Sequence, residues 1–133
     1  MNSFHLEIVT PDGLIFGGDA ESLLVRTDDG DVEILRGHAD YIATVAIGRT
    51  RLIVAGVTRY ASSAGGFLSV KDGVVRLVTT TFEFADEIDL ERAKRAKERA
   101  EERLRDAKAE RDVELAKARL MRALNRINVA GMK

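Results

Sequence analysis

The segment that most constrains the fold of this chain is residues 88–130, which contain no glycine and no proline. They are mainly Ala, Glu, Lys, Arg and Leu, the residues with the highest helix propensities, and the first helix breaker after them is Gly131. The segment is therefore predicted to be helical throughout. Because nothing in its middle forces a turn, a straight helix of about 45 residues, about 68 Å long, and a helical hairpin are both sterically allowed.

Apolar residues recur at spacings of three and four along this segment, and this pattern favours the hairpin. The first stripe comprises Leu90, Ala93, Ala96 (or Lys97), Ala100, Leu104 and Ala107, and the second comprises Val113, Ala116, Leu120, Leu124 and Ile127. Asp89 is predicted to cap the first helix, since its carboxylate can accept hydrogen bonds from free N–H groups of the first turn. Asp112 is a possible cap of the second helix.

The two stripes are rich in alanine, which hides little apolar area when helices pack. About ten such positions at ~0.8 kcal/mol for each methylene-sized group contribute on the order of 8 kcal/mol, and ordering the turn consumes part of it. The hairpin and the straight helix are thus expected to differ by only a few kcal/mol. A ligand at 100 times its dissociation constant supplies about 2.7 kcal/mol, which is enough to decide between them.

The net charge of −1 hides an asymmetry between the two parts of the chain. Residues 1–87 carry 7 Lys and Arg against 13 Asp and Glu, a net charge of −6, whereas residues 88–133 carry 14 against 9, a net charge of +5. This pattern indicates an acidic partner or a phosphate ligand for the tail, or simply well-solvated helices. Nucleic acid is disfavoured, because the tail mixes both signs and residues 89–133 contain no aromatic side chain to stack on a base.

Four arginines of the tail form two pairs, each on one helix face. Arg92 and Arg99 are seven residues apart, and Arg122 and Arg126 are four apart. In a hairpin the two pairs can converge on a pocket for a polyanion, since guanidinium groups form strong charge-assisted hydrogen bonds with phosphates. In a straight helix they cannot meet. The alternative is an exposed helix face on which these arginines pair with neighbouring glutamates.

Residues 1–84 show the pattern of short strands separated by turns. Phe4, Leu6 and Ile8 occupy alternate positions, which is the period of a half-buried strand. The sequence Lys71-Asp72-Gly73 predicts a tight hairpin, and Gly48 is expected to separate two strands. Nine or ten strands at this even spacing favour an all-β sandwich or barrel, and the leucine, isoleucine, valine and phenylalanine content is enough to fill a sandwich.

The predicted fold class is therefore α+β. An N-terminal antiparallel β-sandwich of about 10 strands occupies residues 1–86, and a C-terminal antiparallel two-helix hairpin occupies residues 87–133. The hinge between them is expected at Asp86-Glu87.

The composition argues against several function classes. Cysteine is absent, so neither a disulfide framework nor a thiolate metal site is expected, and His5 and His38 are too isolated to form a metal-ligand set. No run of about 18 apolar residues and no signal-peptide pattern is found. The sequence lacks a nucleophile elbow, a catalytic triad and a P-loop. Catalysis by this chain is not expected.

Five motifs of the chain resemble those of a known family. They are Thr10-Pro11-Asp12-Gly13, Ile34-Leu35 with Gly37-His38, Ser63-Ala64-Gly65-Gly66-Phe67, Ile88-Asp89-Leu90-Glu91-Arg92-Ala93, and the run Arg122-Ala123-Leu124-Asn125-Arg126 with the four residues after it. Together they resemble the ε subunit of bacterial F-type ATP synthases over the whole length, most closely the Bacillus-like members. This chain departs from the family pattern at Glu33, Arg36 and Tyr41, which lie in the part of the sandwich that docks in that family.

This resemblance implies a regulatory subunit of the central stalk that is not itself catalytic. The sandwich would dock on the γ subunit and on the membrane-embedded ring of c subunits. The helices would extend along γ into the α/β head and inhibit ATP hydrolysis, or fold down and release it. The resemblance also implies a peripheral position at the cytoplasmic face of the plasma membrane, and a monomer when the chain is isolated.

In the Bacillus-like branch the folded hairpin binds ATP as a regulatory ligand, without hydrolysing it and with no metal expected to be essential. The positions that match that site are Glu83, Ile88, Asp89, Arg92, Ala93, Arg99, Arg122 and Arg126. By the same resemblance, Glu83 and the backbone near Ile88 and Asp89 suit hydrogen bonds to adenine and ribose. ATP is expected to bind more tightly than ADP and to compact the chain.

Two other classes of protein remain compatible with the sequence. A free-standing ATP-binding module, natural or engineered, would bind nucleotide without joining a rotor, and the altered docking residues keep it open. A sandwich scaffold protein with a coiled-coil tail would form concentration-dependent oligomers and ignore nucleotide. The short stripe without strict heptads argues against the scaffold.

Overall fold

The computed structural model describes residues 2–132, which form a β-sandwich followed by a helical hairpin. The strands are β1 (Phe4–Thr10), β2 (Gly13–Ala20), β3 (Ser22–Thr27), β4 (Gly30–Ile34), β5 (Tyr41–Val54), β6 (Val57–Ala64), β7 (Phe67–Lys71), β8 (Val74–Val78) and β9 (Thr81–Phe84). A 3-10 turn (Ala85–Glu87) leads into helices α1 (Leu90–Asp106) and α2 (Glu110–Ala130). The predicted fold class, a sandwich followed by a helical hairpin, is confirmed.

Two sheets share the long strand β5. The first sheet has the order β2-β1-β8-β7-β5 and the second the order β4-β3-β5-β6-β9. Among the described pairs only β1 and β8 run parallel, since the chain returns to β1 from the β7–β8 hairpin. The buried side chains of both sheets form one core, which includes Leu6, Ile8, Leu23, Leu68 and Leu77.

Two local predictions in the sandwich have different outcomes. The β7–β8 hairpin turns at Asp72 and Gly73, with φ of 51° and 80°, and positive φ at both central residues suits the twist of a tight hairpin. That prediction is confirmed. The break expected at Gly48 is wrong, because β5 continues through it. Glycine is needed there because a Cβ would collide with the side chain of Arg26.

The α1 helix begins as predicted, whereas α2 begins differently. Asp89 caps α1, and its Oδ1 accepts a hydrogen bond from the backbone N–H of Arg92 at 3.1 Å. The proposed cap at Asp112 is wrong, since α2 starts at Glu110 and its N-cap residue, Ala109, makes no side-chain capping bond. Asp112 instead lies in the first turn, where a negative charge still favours the helix dipole.

The helices pack through small side chains. Ala93, Ala100, Ala116 and Ala123 are almost fully buried along the hairpin. Leu124, which was assigned to the stripe, is 45% exposed instead. Its neighbour Ala123 takes the inward position and is 2% exposed.

A small apolar cluster fastens the hairpin to the sandwich. Ala85 and Ile88, which follow the last strand, pack against Val129 and Ala130 at the end of α2, with Tyr60 of β6 at the margin. This attachment fixes the C-terminal turns of α2 next to β5, β6 and β9.

Overpacking the alanine seam is expected to loosen the hairpin. Ala100→Leu should destabilise the helix pair by about 1–3 kcal/mol, because a buried close contact has no space for three more carbons. Hydrogen exchange of amides in α1 and α2 measures this, with protection in the sandwich as an internal reference. Ala109→Leu, in the exposed turn, is the control and should change protection little. Equal protection in the two variants would contradict the close packing.

Candidate functional site

A cleft of about 560 Å³ lies between the hairpin and the edge of the sandwich. It is enclosed by the turn between β1 and β2, by strands β5, β6 and β9, and by both helices. The lining residues are Thr10, Asp12, Ile15, Ile47, Ser62, Ala64, Thr80, Thr81, Phe82, Glu83, Arg92, Arg122 and Arg126. The cleft therefore needs the folded hairpin, since Arg92 comes from α1 and Arg122 and Arg126 come from α2.

Three arginines bring positive charge to this cleft. Arg92 comes from the first turn of α1, and Arg122 and Arg126 come from the last part of α2. The guanidinium groups of Arg92 and Arg122 make no ion pair with any residue in the described range 2–132. The three arginines outnumber the two carboxylates of the lining, Asp12 and Glu83, and the resulting positive charge favours an anionic ligand.

The third arginine is already paired. Arg126 donates from Nε to Glu83 Oε1 at 2.8 Å and from Nη2 to Oε2 at 3.2 Å. Both side chains are partly exposed, at 24% and 33%. The bidentate pair ties α2 to β9, and sequence reasoning placed both residues in the site without foreseeing that they bind each other. A ligand that takes either group has to compete with this pair.

The other predicted site residues lie outside the cleft lining. Ile88 is buried in the attachment cluster, Asp89 caps α1, and Ala93 is fully buried against α2. Arg99 is exposed two helical turns after Arg92 on the same face of α1. The structure thus brings together Glu83 and the three arginines named above, while these four residues shape or flank the site. Their roles toward a ligand stay predictions.

Sequence reasoning missed the contribution of the β1–β2 turn. Thr10, Asp12 and Ile15 line the cleft, and the hydroxyl of Thr10 accepts a hydrogen bond from the backbone N–H of Asp12 at 3.2 Å. No local signal could reveal this, because the turn meets the helices only through the packing of β1 beside β8 and the return of α2 along β5 and β6. Asp12 is the cleft's second carboxylate, beside Glu83.

Sequence reasoning also missed Asn125, which lies between the two arginines of α2. Its Nδ2 donates to the backbone oxygen of Gly48 and to Ser62 Oγ, each at 2.9 Å. Asparagine inside a helix has a poor helix propensity, and that is the one sequence signal of a special role.

A larger cleft of about 830 Å³ adjoins the first one. Arg122, Ile47, Ala64, Thr80 and Thr81 line both clefts. Its far wall is the turn between β3 and β4, and Met121 overhangs it from α2. Arg122 therefore stands at the boundary between the two spaces.

Two of the residues at which the chain departs from the family pattern, Glu33 and Tyr41, make local contacts in the fold. Glu33 on β4 accepts a hydrogen bond from Arg51 on β5 at 2.6 Å, a cross-strand ion pair. Tyr41 packs against the sandwich core, and its ring meets that of His38 edge-on at 5.7 Å. These residues therefore fit the fold, whatever they do at a docking surface.

Comparisons with known proteins place the whole chain beside one family. A family model described as ATP synthase, Delta/Epsilon chain, beta-sandwich domain matches residues 3–85, and one described as ATP synthase, Delta/Epsilon chain, long alpha-helix domain matches residues 86–131. The ATP synthase epsilon chain of Bacillus pumilus is 42% identical over 98% of this chain and 99% of its own length. That of Ruminococcus albus is 40% identical over 100% of both chains.

Solved structures show the same fold. A chain of the Euglena gracilis mitochondrial ATP synthase, in its OSCP/F1/c-ring structure, superposes with a TM-score of 0.84 at 23% identity, covering 98% of this chain and 82% of that one. A chain of the Tetrahymena thermophila mitochondrial ATP synthase central stalk and c-ring gives 0.73 at 13% identity. In the described part of this chain, neither α1 nor α2 has the length and apolar character of a membrane-crossing helix.

Proposed function

The chain belongs to the ATP synthase delta/epsilon chain family, and from this premise we propose that it is a regulatory subunit of the rotor whose helical hairpin senses ATP. The resemblance inferred from its motifs is confirmed by the full-length relatives. In this proposal the straightened helices inhibit ATP hydrolysis by the catalytic head. Bound ATP favours the folded hairpin and releases the inhibition.

The observation that carries the proposal is the pair of arginines that line the cleft and make no ion pair within the described residues. Arg92 belongs to α1 and Arg122 to α2, so they face one ligand only when the hairpin is folded. A ligand that needs both therefore binds the folded form and not the straight one. A ligand shifts an equilibrium by its difference in affinity for the two states, which makes this geometry suited to a switch.

A nucleoside triphosphate fits the charge of the cleft. Arg92 and Arg122 would hold its phosphate oxygens, and Arg126 would join them where the ligand displaces Glu83. A freed Glu83 carboxylate is then an acceptor for an amino group, in keeping with the adenine contact that the resemblance implies. The ligand replaces one ion pair with several charge-assisted bonds. We propose binding without hydrolysis, as the family resemblance implies.

The sandwich is proposed to carry the contacts with the rest of the rotor, namely the γ subunit and the c-ring. Its support is the family membership together with large apolar side chains left at the surface. Ile42 is 72% exposed, Leu35 50% and Phe67 42%, and such exposed apolar groups are typical of interaction surfaces. The straightened helices would reach the α/β head, and a peripheral site at the cytoplasmic membrane face follows from the same assignment.

The first test is nucleotide titration of the isolated chain. ATP is expected to bind about tenfold or more tightly than ADP, because losing one phosphate removes at least one charge-assisted hydrogen bond of about 1.5–3 kcal/mol. Isothermal titration calorimetry with and without magnesium measures both affinities. Equal affinities for ATP and ADP, or no heat with either, would contradict the triphosphate assignment.

A pull-down with the γ subunit separates a rotor subunit from a free-standing ATP-binding module. A rotor subunit is expected to be retained on immobilised γ, with and without ATP, since the sandwich makes the contact. A double substitution at exposed apolar positions, Ile42→Ser with Phe67→Ser, should release it if those side chains form the surface. ATP binding without any retention on γ would favour the free-standing module.

A further inference from the structure

Asn125 connects the hairpin to two strands of the sandwich at once. Its side-chain amide donates one hydrogen bond to the Gly48 backbone oxygen on β5 and another to the Ser62 hydroxyl on β6, both at 2.9 Å and partly buried. Among the described residues, α2 is hydrogen-bonded to the sandwich by the neutral side chain of Asn125 and by the charged side chain of Arg126.

The next residue of α2 completes this contact across a third strand. Ser62 on β6 lies directly opposite Glu83 on β9 in the sheet register, and Glu83 holds Arg126. Asn125 and Arg126, consecutive in α2, therefore hydrogen-bond to two residues that face each other on neighbouring strands. A slip of α2 by one residue along its axis would break both contacts, so together they fix the register of α2 on the sheet.

The two contacts differ in what a ligand does to them. The bond from Arg126 to Glu83 uses a charged group that an anion in the cleft can take. The amide of Asn125 carries no charge, so an anion does not compete for it as it does for Arg126. Of its two acceptors, Ser62 lines the cleft, whereas Gly48 lies outside the lining. The bond to Gly48 can therefore persist when the arginines are occupied.

We propose that Asn125 is the positioning residue of the cleft, an uncharged clamp that sets the fraction of molecules with a folded hairpin before any nucleotide binds. The inference rests on the proposed function only where it concerns ATP. By holding α2 in register, Asn125 keeps Arg122, one turn before it, and Arg126, directly after it, facing the cleft. Apparent ligand affinity scales with the fraction of chains in the competent form, so the clamp also sets the nucleotide concentration at which the switch responds.

The test compares Asn125→Ala with Asn128→Ala, an exposed position one turn further along α2. Fluorescent labels at Val57, the first residue of β6, and at Lys117 on α2 report the distance between sandwich and helix; both sites are exposed. Asn125→Ala is expected to lower the ratio of folded to detached hairpin about three- to tenfold without nucleotide. When the folded form is the minor one, the ATP midpoint rises by the same factor. Saturating ATP should restore the distance seen in the wild type.

A double-mutant cycle shows whether the contact is direct. Ser62→Ala removes one acceptor from the sandwich side, so its effect and that of Asn125→Ala should not add. Additive effects would overturn the clamp. So would a population of folded hairpin in Asn125→Ala equal to that in Asn128→Ala, or a higher ATP midpoint with an unchanged population, which would make Asn125 a ligand contact instead.

The outcomes keep this inference separate from the proposed function. If Asn125→Ala releases the hairpin while ATP affects neither the variant nor the wild type, the clamp stands and the ATP assignment fails. If ATP compacts the wild type and Asn125→Ala responds identically, the ATP assignment stands and the clamp fails.

Discussion

Replacing Arg92 and Arg122 together with alanine is expected to weaken ATP binding about 10²- to 10⁴-fold. Each guanidinium group is free of ion pairs within residues 2–132 and is available for hydrogen bonds to a charged ligand, worth about 1.5–3 kcal/mol apiece. The two groups come from different helices, so the double variant also removes the link by which the ligand holds the hairpin closed. Calorimetric titration of the isolated chain measures the loss.

The control for this prediction removes the same charge from the same helices. Arg95 on α1 and Arg111 on α2 are exposed, outside the cleft and free of ion pairs in the described structure. Arg95→Ala with Arg111→Ala should change affinity only slightly, since neither side chain lines the cleft and salt screens charges that lie in solvent. If both double variants weaken binding equally, ATP responds to the general positive charge of the tail and no specific cleft exists.

Gly66→Ala is expected to destabilise the sandwich by about 2–5 kcal/mol, from strained backbone and overpacking combined. Gly66 has a φ of +87°, and a Cβ there would collide with the backbone oxygen of Val78 on the neighbouring strand β8. A main-chain atom of a sheet cannot move aside as a side chain would. Denaturant unfolding monitored by circular dichroism gives the free energy of unfolding.

Gly73→Ala is the matched control for this effect. Its φ of +80° is nearly the same, but a Cβ there meets nothing within 4 Å, so only the backbone strain of about 1–2 kcal/mol remains. The difference between the two variants isolates the collision. Equal losses of stability would mean that the β6–β7 turn shifts easily, which would contradict the close approach to β8.

Local chemistry made much of the sandwich predictable. The alternation of Phe4, Leu6 and Ile8 identifies β1, and Asp72 followed by Gly73 identifies a tight turn, because each depends on a residue and its immediate neighbours. Where a local prediction was wrong, tertiary packing was the reason. Gly48 suits a turn by composition, yet it lies within β5 because Arg26 approaches it too closely for any side chain.

The helical hairpin was predictable in kind but not in detail. Periodicity indicates two stripes, but it does not separate Ala123 from Leu124, whose positions on the helix differ by one residue. The α2 helix begins at Glu110 without a capping side chain. The prediction of a cap at Asp112, which has the better capping chemistry, was therefore wrong.

The candidate site was predictable only where charge and family resemblance agreed. Arg92, Arg122 and Arg126 meet in the cleft as the hairpin argument requires. The pairing of Glu83 with Arg126 and the clamp at Asn125 depend on the register of α2 against β6 and β9. Sequence spacing within one helix carries no information on that register.

The most direct test of the central claim, that ATP in the cleft holds the hairpin folded, is a distance measurement in the assembled complex. Labels at the exposed residues Glu91 and Asn128 lie near opposite ends of the tail, side by side in the hairpin. In one straight helix they would be about 55 Å apart at 1.5 Å per residue, whereas packed helices have axes about 8–10 Å apart.

The wild-type chain, joined to γ and the α/β head, should shift from long to short distances as ATP is added, and hydrolysis should rise in step. The variant with Arg92→Ala and Arg122→Ala should keep the long distances at the same ATP concentration, although the catalytic sites of the head are intact. If wild type and variant shorten alike, the signal comes from the catalytic head, and the cleft described here is not the sensor.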